Sequence, residues 1–83
     1  MSVPTRLALL TREGCGLCEE LLAELSELPS REPLIPGVEL VDVDSDPQLQ
    51  RRWGLKLPVL LLDGALVCLG RLDTPELLRL LRL

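Results

Sequence analysis

Apolar residues gather in four short runs, each bounded by polar residues, glycine or proline. The segments Arg6–Leu10, Pro58–Leu62 and Ala65–Leu69 are mostly apolar, as is typical of buried strands. Val38–Asp44 alternates apolar with acidic residues, which also favours a strand. The dipeptide Asp63-Gly64 separates the last two runs and has the composition of a two-residue hairpin turn. The sequence therefore predicts four strands, the last two of which form a hairpin.

Three other segments carry helical signals. Cys15–Leu28 has leucines three and four positions apart and glutamates on the other face. A short helix begins in the Ser45–Pro47 segment, where a capping side chain precedes proline, and ends at Gly54. The last helix covers Asp73–Leu83 and opens with two carboxylates at the spacing of a capping box. Residues 29–37 hold three prolines and predict irregular structure.

The predicted elements follow the order β-α-β-α-β-β-α, which indicates an α/β fold. The first strand–helix–strand unit should cross over right-handedly and make its two strands parallel. The hairpin adds an antiparallel pair, so we expect one mixed four-stranded sheet flanked by three helices. A chain of 83 residues has the length of one small domain, and we expect residues 1–83 to form a single domain.

The composition excludes several classes of function. Nine lysines and arginines stand against thirteen aspartates and glutamates, a formal charge of −4, and one residue is aromatic. Nucleic-acid-binding surfaces need a basic face or stacking aromatics, so nucleic acid is not an expected partner. The chain has no histidine, which removes Ser-His-Asp and Cys-His catalysis and imidazole ligands for zinc.

The apolar runs are too short to enter a membrane. None approaches the ~20 residues that span a bilayer, and Leu7–Leu10 is shorter than the apolar core of a secretory signal. We therefore expect a cytoplasmic protein with no membrane partner. Stable disulfides are rare in that compartment, so three cysteines indicate chemistry or metal binding rather than structural crosslinks.

Two cysteines, Cys15 and Cys18, lie where the first strand passes into the first helix. Three positions apart on the first helical turn, they can close a small disulfide ring. Free N–H groups and the helix dipole stabilise a thiolate there, and thiol pKa values in such settings fall to about 3.5–7.5. Arg12 would add positive charge, whereas Glu13 and two glutamates of the helix would oppose it. We expect a lowered but not extreme thiol pKa.

The same pair could instead be a chance occurrence or half of a zinc site. Zinc takes four ligands, and the third cysteine, Cys68, lies fifty positions after Cys18 in a predicted strand. A site made of all three cysteines and one carboxylate would be needed. We expect no metal site and no tightly bound cofactor, and we expect Cys68 to be a small buried apolar side chain.

Together, these segments resemble the glutaredoxin-like family of the thioredoxin-like superfold, over nearly the whole chain. The resemblance rests on Thr11–Cys18, Val41–Pro47, Trp53–Leu60, Gly70 and Asp73. It implies thiol–disulfide exchange, in which Cys15 attacks a disulfide as a thiolate and Cys18 resolves the mixed disulfide. The position of Cys15 near the helix cap and of Cys18 one turn further in favours the same order of attack.

The resemblance also implies how a substrate binds. Members of the family have a cis-proline that opens the third strand and faces the cysteines, and Pro58 matches that position. Leu57 would then offer backbone hydrogen bonds to an extended thiol substrate. Arg12 matches a basic position of the family, and the last helix, near Asp73 and Thr74, offers free N–H groups to a carboxylate of glutathione. Glutathione is therefore a candidate reductant.

The sequence departs from typical glutaredoxins in two places. Leu17 stands where they often carry an aromatic residue, and their Gly-Gly doublet before the last helix is replaced by Gly70-Arg71. These departures predict weaker glutathione binding. The expected partner is a disulfide-containing protein or a glutathione mixed disulfide. The alternative function is a non-catalytic thioredoxin-fold module that binds a partner protein, or a metal or iron–sulfur cluster with glutathione.

Two further expectations concern packing. Trp53 should half-fill the gap beside the third strand. The last helix, with Leu77–Leu83, is apolar on most of its circumference, so part of it would stay exposed after it covers the sheet. We expect a monomer, with a dimer through this helix as the alternative.

Overall fold

The computed structural model describes residues 6–28 and 37–81. Its strands are β1 (Leu7–Thr11), β2 (Val38–Asp42), β3 (Val59–Leu62) and β4 (Ala65–Leu69). They form one sheet in the order β2-β1-β3-β4, in which β1 and β2 are parallel and the other neighbours antiparallel. The predicted mixed sheet is confirmed. The predicted irregular segment at residues 29–36 and the predicted end of the last helix at residues 82 and 83 lie outside the described residues.

Three helices flank the sheet, and they begin close to the predicted signals. They are α1 (Gly16–Glu27), α2 (Pro47–Trp53) and α3 (Thr74–Leu81). Asp46 caps α2, because its Oδ1 accepts the N–H of Gln48 at 2.8 Å, and Gly54 ends the helix. The element order β-α-β-α-β-β-α is therefore confirmed.

The strand β2 is two residues shorter than the alternation over Val38–Asp44 predicts. The Asp42 carboxylate accepts the N–H of Asp44 at 2.9 Å, and the Asp42 carbonyl accepts the hydroxyl of Ser45 at 2.6 Å. These local bonds compete with the sheet and turn Val43–Ser45 into a 3₁₀ turn. Val43 remains buried there, so the apolar position still contributes to the core.

The core lies on both faces of the sheet, because β1 and β3 are its central strands. Leu7 and Leu9 pack on one face with leucines of α1 and α3. Leu10 belongs to a smaller cluster on the other face, against α2, where Trp53 is half-buried as expected. Since successive strand residues point to opposite faces, burial on both sides explains why the central strands are apolar runs.

The β3–β4 hairpin has the predicted turn and one irregularity. Asp63 and Gly64 have φ angles of 50° and 84°, the left-handed pair that a tight two-residue hairpin requires. The register then shifts between Leu60 and Leu61, which leaves Val67 as an extra residue in β4. Such a β-bulge bends the strand and interrupts its hydrogen-bond ladder.

The described part of the last helix packs its leucines against the core. Leu77 is fully buried, and Leu78 and the leucines of the last turn pack against the core. Among the described residues, the large exposed apolar side chains are Leu17, Leu40, Leu55, Leu66 and Leu69. A dimer through the last helix stays a prediction. In the described part of the chain, no helix has the length and apolarity to cross a membrane.

The N-terminus of α3 forms half of the predicted capping box. The N–H of Glu76 donates to Asp73 Oδ1 at 3.1 Å. The Glu76 carboxylate, however, pairs with Arg79 at 2.5 Å, one helical turn further on. The arginine holds the pKa of the Glu76 carboxyl below its ordinary value. The carboxylate at the start of the helix therefore caps it without the reciprocal bond.

Candidate active site

A tight turn after β1 places Cys15 at the start of α1. The carbonyl oxygen of Arg12 accepts the N–H of Cys15 at 3.1 Å, which closes a four-residue turn. Gly14 occupies its third position with a φ of +79°, a conformation that favours glycine. Cys15 then has the extended backbone of a helix N-cap. The chain can thus pass from strand to helix within a few residues and present a side chain at the junction.

Cys15 and Cys18 form a disulfide, with their Cα atoms 5.2 Å apart. The Sγ of Cys15 accepts the N–H of Cys18 at 3.2 Å, so the sulfur itself caps the helix. Cys15 is half-exposed, whereas Cys18 is 2% exposed. The predicted difference in access between the two sulfurs is confirmed. In the reduced protein, the same N–H and the helix dipole would stabilise a Cys15 thiolate.

Cys15 opens on a cavity of about 290 Å³ between the β1–α1 turn and the segment that connects α2 to β3. The lining residues are Arg12, Glu13, Gly14, Cys15, Gly54, Leu55 and Leu57. The structure therefore brings together three of the predicted site residues, from segments far apart in sequence. Leu55 is fully exposed and was not predicted as part of the site. Its position two residues before Leu57 was the available signal.

The segment before β3 presents free backbone groups beside this cavity. The Leu57–Pro58 peptide bond is cis, the isomer that the resemblance implies. Pro58 is buried, and its carbonyl accepts the N–H of Gly70 at 2.8 Å, which ties the segment to the end of β4. Within residues 6–28 and 37–81, the N–H and C=O of Leu57 have no backbone partner. Both groups are thus available to an extended peptide.

The guanidinium of Arg12 is held by the fold. Its Nε and Nη2 donate to the two carboxylate oxygens of Asp44 at 2.8 and 2.9 Å, and its Nη1 donates to the Gly54 carbonyl at 3.2 Å. This bidentate pair holds the pKa of the Asp44 carboxyl below its ordinary value and raises the pKa of Arg12. Arg12 therefore lies at the cavity as one half of an ion pair.

Asp44 was expected only to end a strand, so sequence reasoning missed this partner. The two residues lie 32 positions apart, and no local pattern links them. The topology supplies the missing signal. Since β1 and β2 are parallel, the segments that follow them meet at the same edge of the sheet, which brings Arg12 and Asp44 together.

Two of the predicted site residues, Asp73 and Thr74, lie at the start of α3. In the described part of the chain, Asp73 and Thr74 are not among the residues that line the Cys15 cavity. Asp73 instead caps its own helix: its carboxylate accepts the N–H of Glu76, and its carbonyl accepts the N–H of Leu77. The predicted binding of a glutathione carboxylate at this helix end stays a prediction.

The third cysteine, Cys68, lies on β4 opposite Leu60 and is a free thiol. It is half-buried against the larger core cluster, and burial raises the pKa of its thiol above the ordinary value. Among residues 6–28 and 37–81, no group of three or more cysteine or carboxylate side chains is arranged to hold a metal ion.

Comparison with known proteins shows the family of this chain. The model of the family described as glutaredoxin-like domain (DUF836) matches residues 6–82 of this chain. Two proteins described as uncharacterised, from Mycobacterium tuberculosis strain H37Rv and from Mycobacterium bovis, are each 38% identical over 71 residues. Each match covers 77% of this chain and 68% of the relative.

Solved structures show the same fold. A protein of Nitrosomonas europaea, known from a solution NMR structure, is 29% identical with a TM-score of 0.79, over 93% of this chain and 91% of that one. A mutant thioredoxin of Halobacterium salinarum is 28% identical with a TM-score of 0.58, over 94% and 72%. Oxidised mitochondrial thioredoxin 3 of Saccharomyces cerevisiae is 21% identical with a TM-score of 0.57, over 94% and 76%, a likeness of fold alone.

Proposed function

Because this chain belongs to the glutaredoxin-like domain family, we propose that it is a thiol–disulfide oxidoreductase whose Cys15 and Cys18 alternate between dithiol and disulfide. The observation that carries the proposal is a disulfide at a helix N-terminus whose half-exposed sulfur opens on a cavity. A structural role explains this bond poorly. Its cysteines are three positions apart, and so short a loop restricts the unfolded chain little.

In the proposed reaction, the Cys15 thiolate attacks one sulfur of a substrate disulfide. A mixed disulfide forms, and the first substrate thiolate leaves. The Cys18 thiolate then attacks Cys15 Sγ, which forms the internal disulfide and releases the second substrate thiolate. The substrate gains two electrons and the protein loses two. Because Cys18 is buried, the substrate meets Cys15 first.

The backbone of Leu57 would position the substrate. Its free N–H and C=O would pair with the extended chain of a disulfide-containing protein or of glutathione, beside the attacking sulfur. Two glutathione thiols would return the internal disulfide to the dithiol and leave as glutathione disulfide. Glutathione binding is proposed to be weak, and the proposed compartment is the cytoplasm, where that thiol is abundant.

Thiol counting tests the dithiol–disulfide cycle. The fully reduced protein should show three reactive thiols under denaturing conditions and one after a mild disulfide oxidant, and excess glutathione should restore three. Purified protein that carries metal or colour and shows no reversible change would favour the non-catalytic module instead.

A Cys18→Ser variant tests the order of attack. Cys15 should still react with glutathione disulfide, and the mixed disulfide should persist because no thiol resolves it. Mass spectrometry of the digested protein should show one glutathione on Cys15, removable by a strong reductant. A glutathione located on Cys68, or a wild-type protein that accumulates the adduct equally, would contradict the proposal.

A further inference from the structure

The positive charge at the Cys15 cavity is neutralised by a carboxylate of the same chain. Arg12 is the only cation among the described residues that line the cavity. All three nitrogens of its guanidinium donate hydrogen bonds, two to Asp44 and one to Gly54. The acceptors come from two elements, the segment after β2 and the residue after α2. The guanidinium is therefore fixed from two sides and its charge is matched by a carboxylate.

Two further residues, Gln50 and Gly54, hold the Arg12–Asp44 ion pair in place. Gln50 of α2 donates from Nε2 to Asp44 Oδ1 at 3.0 Å, which orients the carboxylate. Gly54 has an ordinary helical φ of −55°, so its backbone does not require glycine. A Cβ at Gly54 would overlap the Gln50 carbonyl oxygen and come within 3.3 Å of Arg12 Nη2. The missing side chain thus leaves room for the guanidinium.

Apart from Arg12, the described residues that line the cavity are uncharged except for Glu13. Glu13 is an exposed carboxylate in the cavity lining, and Leu55 and Leu57 form the opposite wall. Leu17, two residues after Cys15, is 52% exposed. The nearby cation Lys56 has its Nζ 5.7 Å from the Trp53 ring, on the smaller core cluster. An anionic substrate therefore meets a carboxylate and a neutralised arginine.

We infer that Asp44 is a positioning residue that sets substrate specificity: by holding Arg12, it makes the site prefer uncharged, apolar disulfide-bearing segments over anionic disulfides such as glutathione disulfide. The inference rests on the proposed function, because it concerns the disulfide that Cys15 attacks. It leaves the weak reductant role proposed for glutathione unchanged.

An Asp44→Asn variant tests this inference through a ratio of rates. The reduced protein is oxidised with glutathione disulfide and, separately, with the uncharged 2-hydroxyethyl disulfide, and the second-order rate constants are compared. Freeing the Arg12 charge should raise the ratio of the anionic to the neutral rate about threefold to tenfold at low salt, as one unpaired charge a few ångströms away allows. The gain should shrink at 1 M salt.

Matched variants separate charge from structure. Glu39→Gln removes a carboxylate from an exposed position of β2 and should leave the ratio unchanged. Asp44→Glu keeps the charge and should keep the wild-type ratio. An unchanged ratio in Asp44→Asn, or an equal loss of both rates, would overturn the inference and mean that Asp44 is structural. No reaction of wild-type Cys15 with either disulfide would instead overturn the proposed function.

The wild-type protein gives an independent measurement if Asp44→Asn does not fold. With Arg12 neutralised, the charge left in the described cavity lining is the Glu13 carboxylate, so salt should screen more repulsion than attraction and the rate with glutathione disulfide should rise with ionic strength relative to the neutral disulfide. A relative rate that falls with salt would show that Arg12 attracts the anion, and would overturn the inference.

Discussion

Cys15 and Cys68 are both half-exposed, yet they differ in secondary structure and in packing, which both affect the stability of a thiolate. The sulfur of Cys15 lies at a helix N-terminus and accepts a backbone N–H. Cys68 lies in a strand against the larger core cluster, where burial raises the pKa of its thiol. The first environment favours the thiolate and the second disfavours it. Exposure alone therefore does not identify the cysteine whose thiolate is favoured; the balance of burial and hydrogen bonding at each sulfur does.

The largest expected contrast comes from removing each sulfur in turn. Cys15→Ser should abolish the glutathione adduct, because Cys18 is buried and burial disfavours the Cys68 thiolate by more than the backbone hydrogen bond from Asp73 favours it. Cys68→Ser is the matched control and should cycle like the wild type. Mass spectrometry after exposure to glutathione disulfide, with both variants checked for folding by circular dichroism, measures the adducts. Equal adducts in the two variants would remove the distinction between these thiols.

An intermediate effect is expected from the turn that presents Cys15. Gly14→Ala places a Cβ on a residue with a φ of +79°, although no atom lies within 4 Å of it. The cost is conformational, about 1–2 kcal/mol of unfolding free energy. Urea denaturation measures it. Gly16→Ala is the control, because Gly16 opens α1 without a positive φ and should not be destabilised. Equal stability of both variants would show that the turn tolerates a side chain.

The smallest expected effect concerns the pH dependence of Cys68. In the oxidised protein it is the remaining free thiol, so iodoacetamide alkylation reports on it alone. Because burial raises its pKa, the alkylation rate should level off at a higher pH than in the urea-unfolded chain. The unfolded chain then ionises first, and the free energy of unfolding should fall as the pH rises above the ordinary thiol pKa. Coincident profiles would mean that burial does not suppress the Cys68 thiolate.

Much of the fold was predictable because its signals are local. The Asp63-Gly64 turn, the cap at Asp46 and the apolar central strands each depend on neighbouring residues, and all three lie where predicted. The end of β2 was not predictable from alternation. There the Asp42 side chain competes with the sheet for backbone hydrogen bonds. The sequence of this segment does not show whether the local turn or the strand is more stable.

In the candidate site, too, the features set by local sequence were predictable and those set by the assembled fold were not. The placement of Cys15 and Cys18 follows from the strand-to-helix junction, and so does their unequal burial. The partner of Arg12 depends on which strands are neighbours and parallel, a property of the assembled sheet. The exposure of Leu55 depends on how the α2–β3 segment passes the turn before α1, which hydrophobic periodicity does not encode.

The β-bulge in β4 also limits what can attach to this sheet. The outer strands of the described sheet are β2 and β4. β2 displays the exposed carboxylates of Glu39 and Asp42, which repel an approaching strand, and the extra residue Val67 breaks the even ladder of β4. Neither edge strand therefore favours the edge-to-edge pairing by which open sheets aggregate. Within the described residues, the backbone of Leu57 is unpaired instead, so under the proposed function an extended substrate would pair beside Cys15 and not along an edge of the sheet.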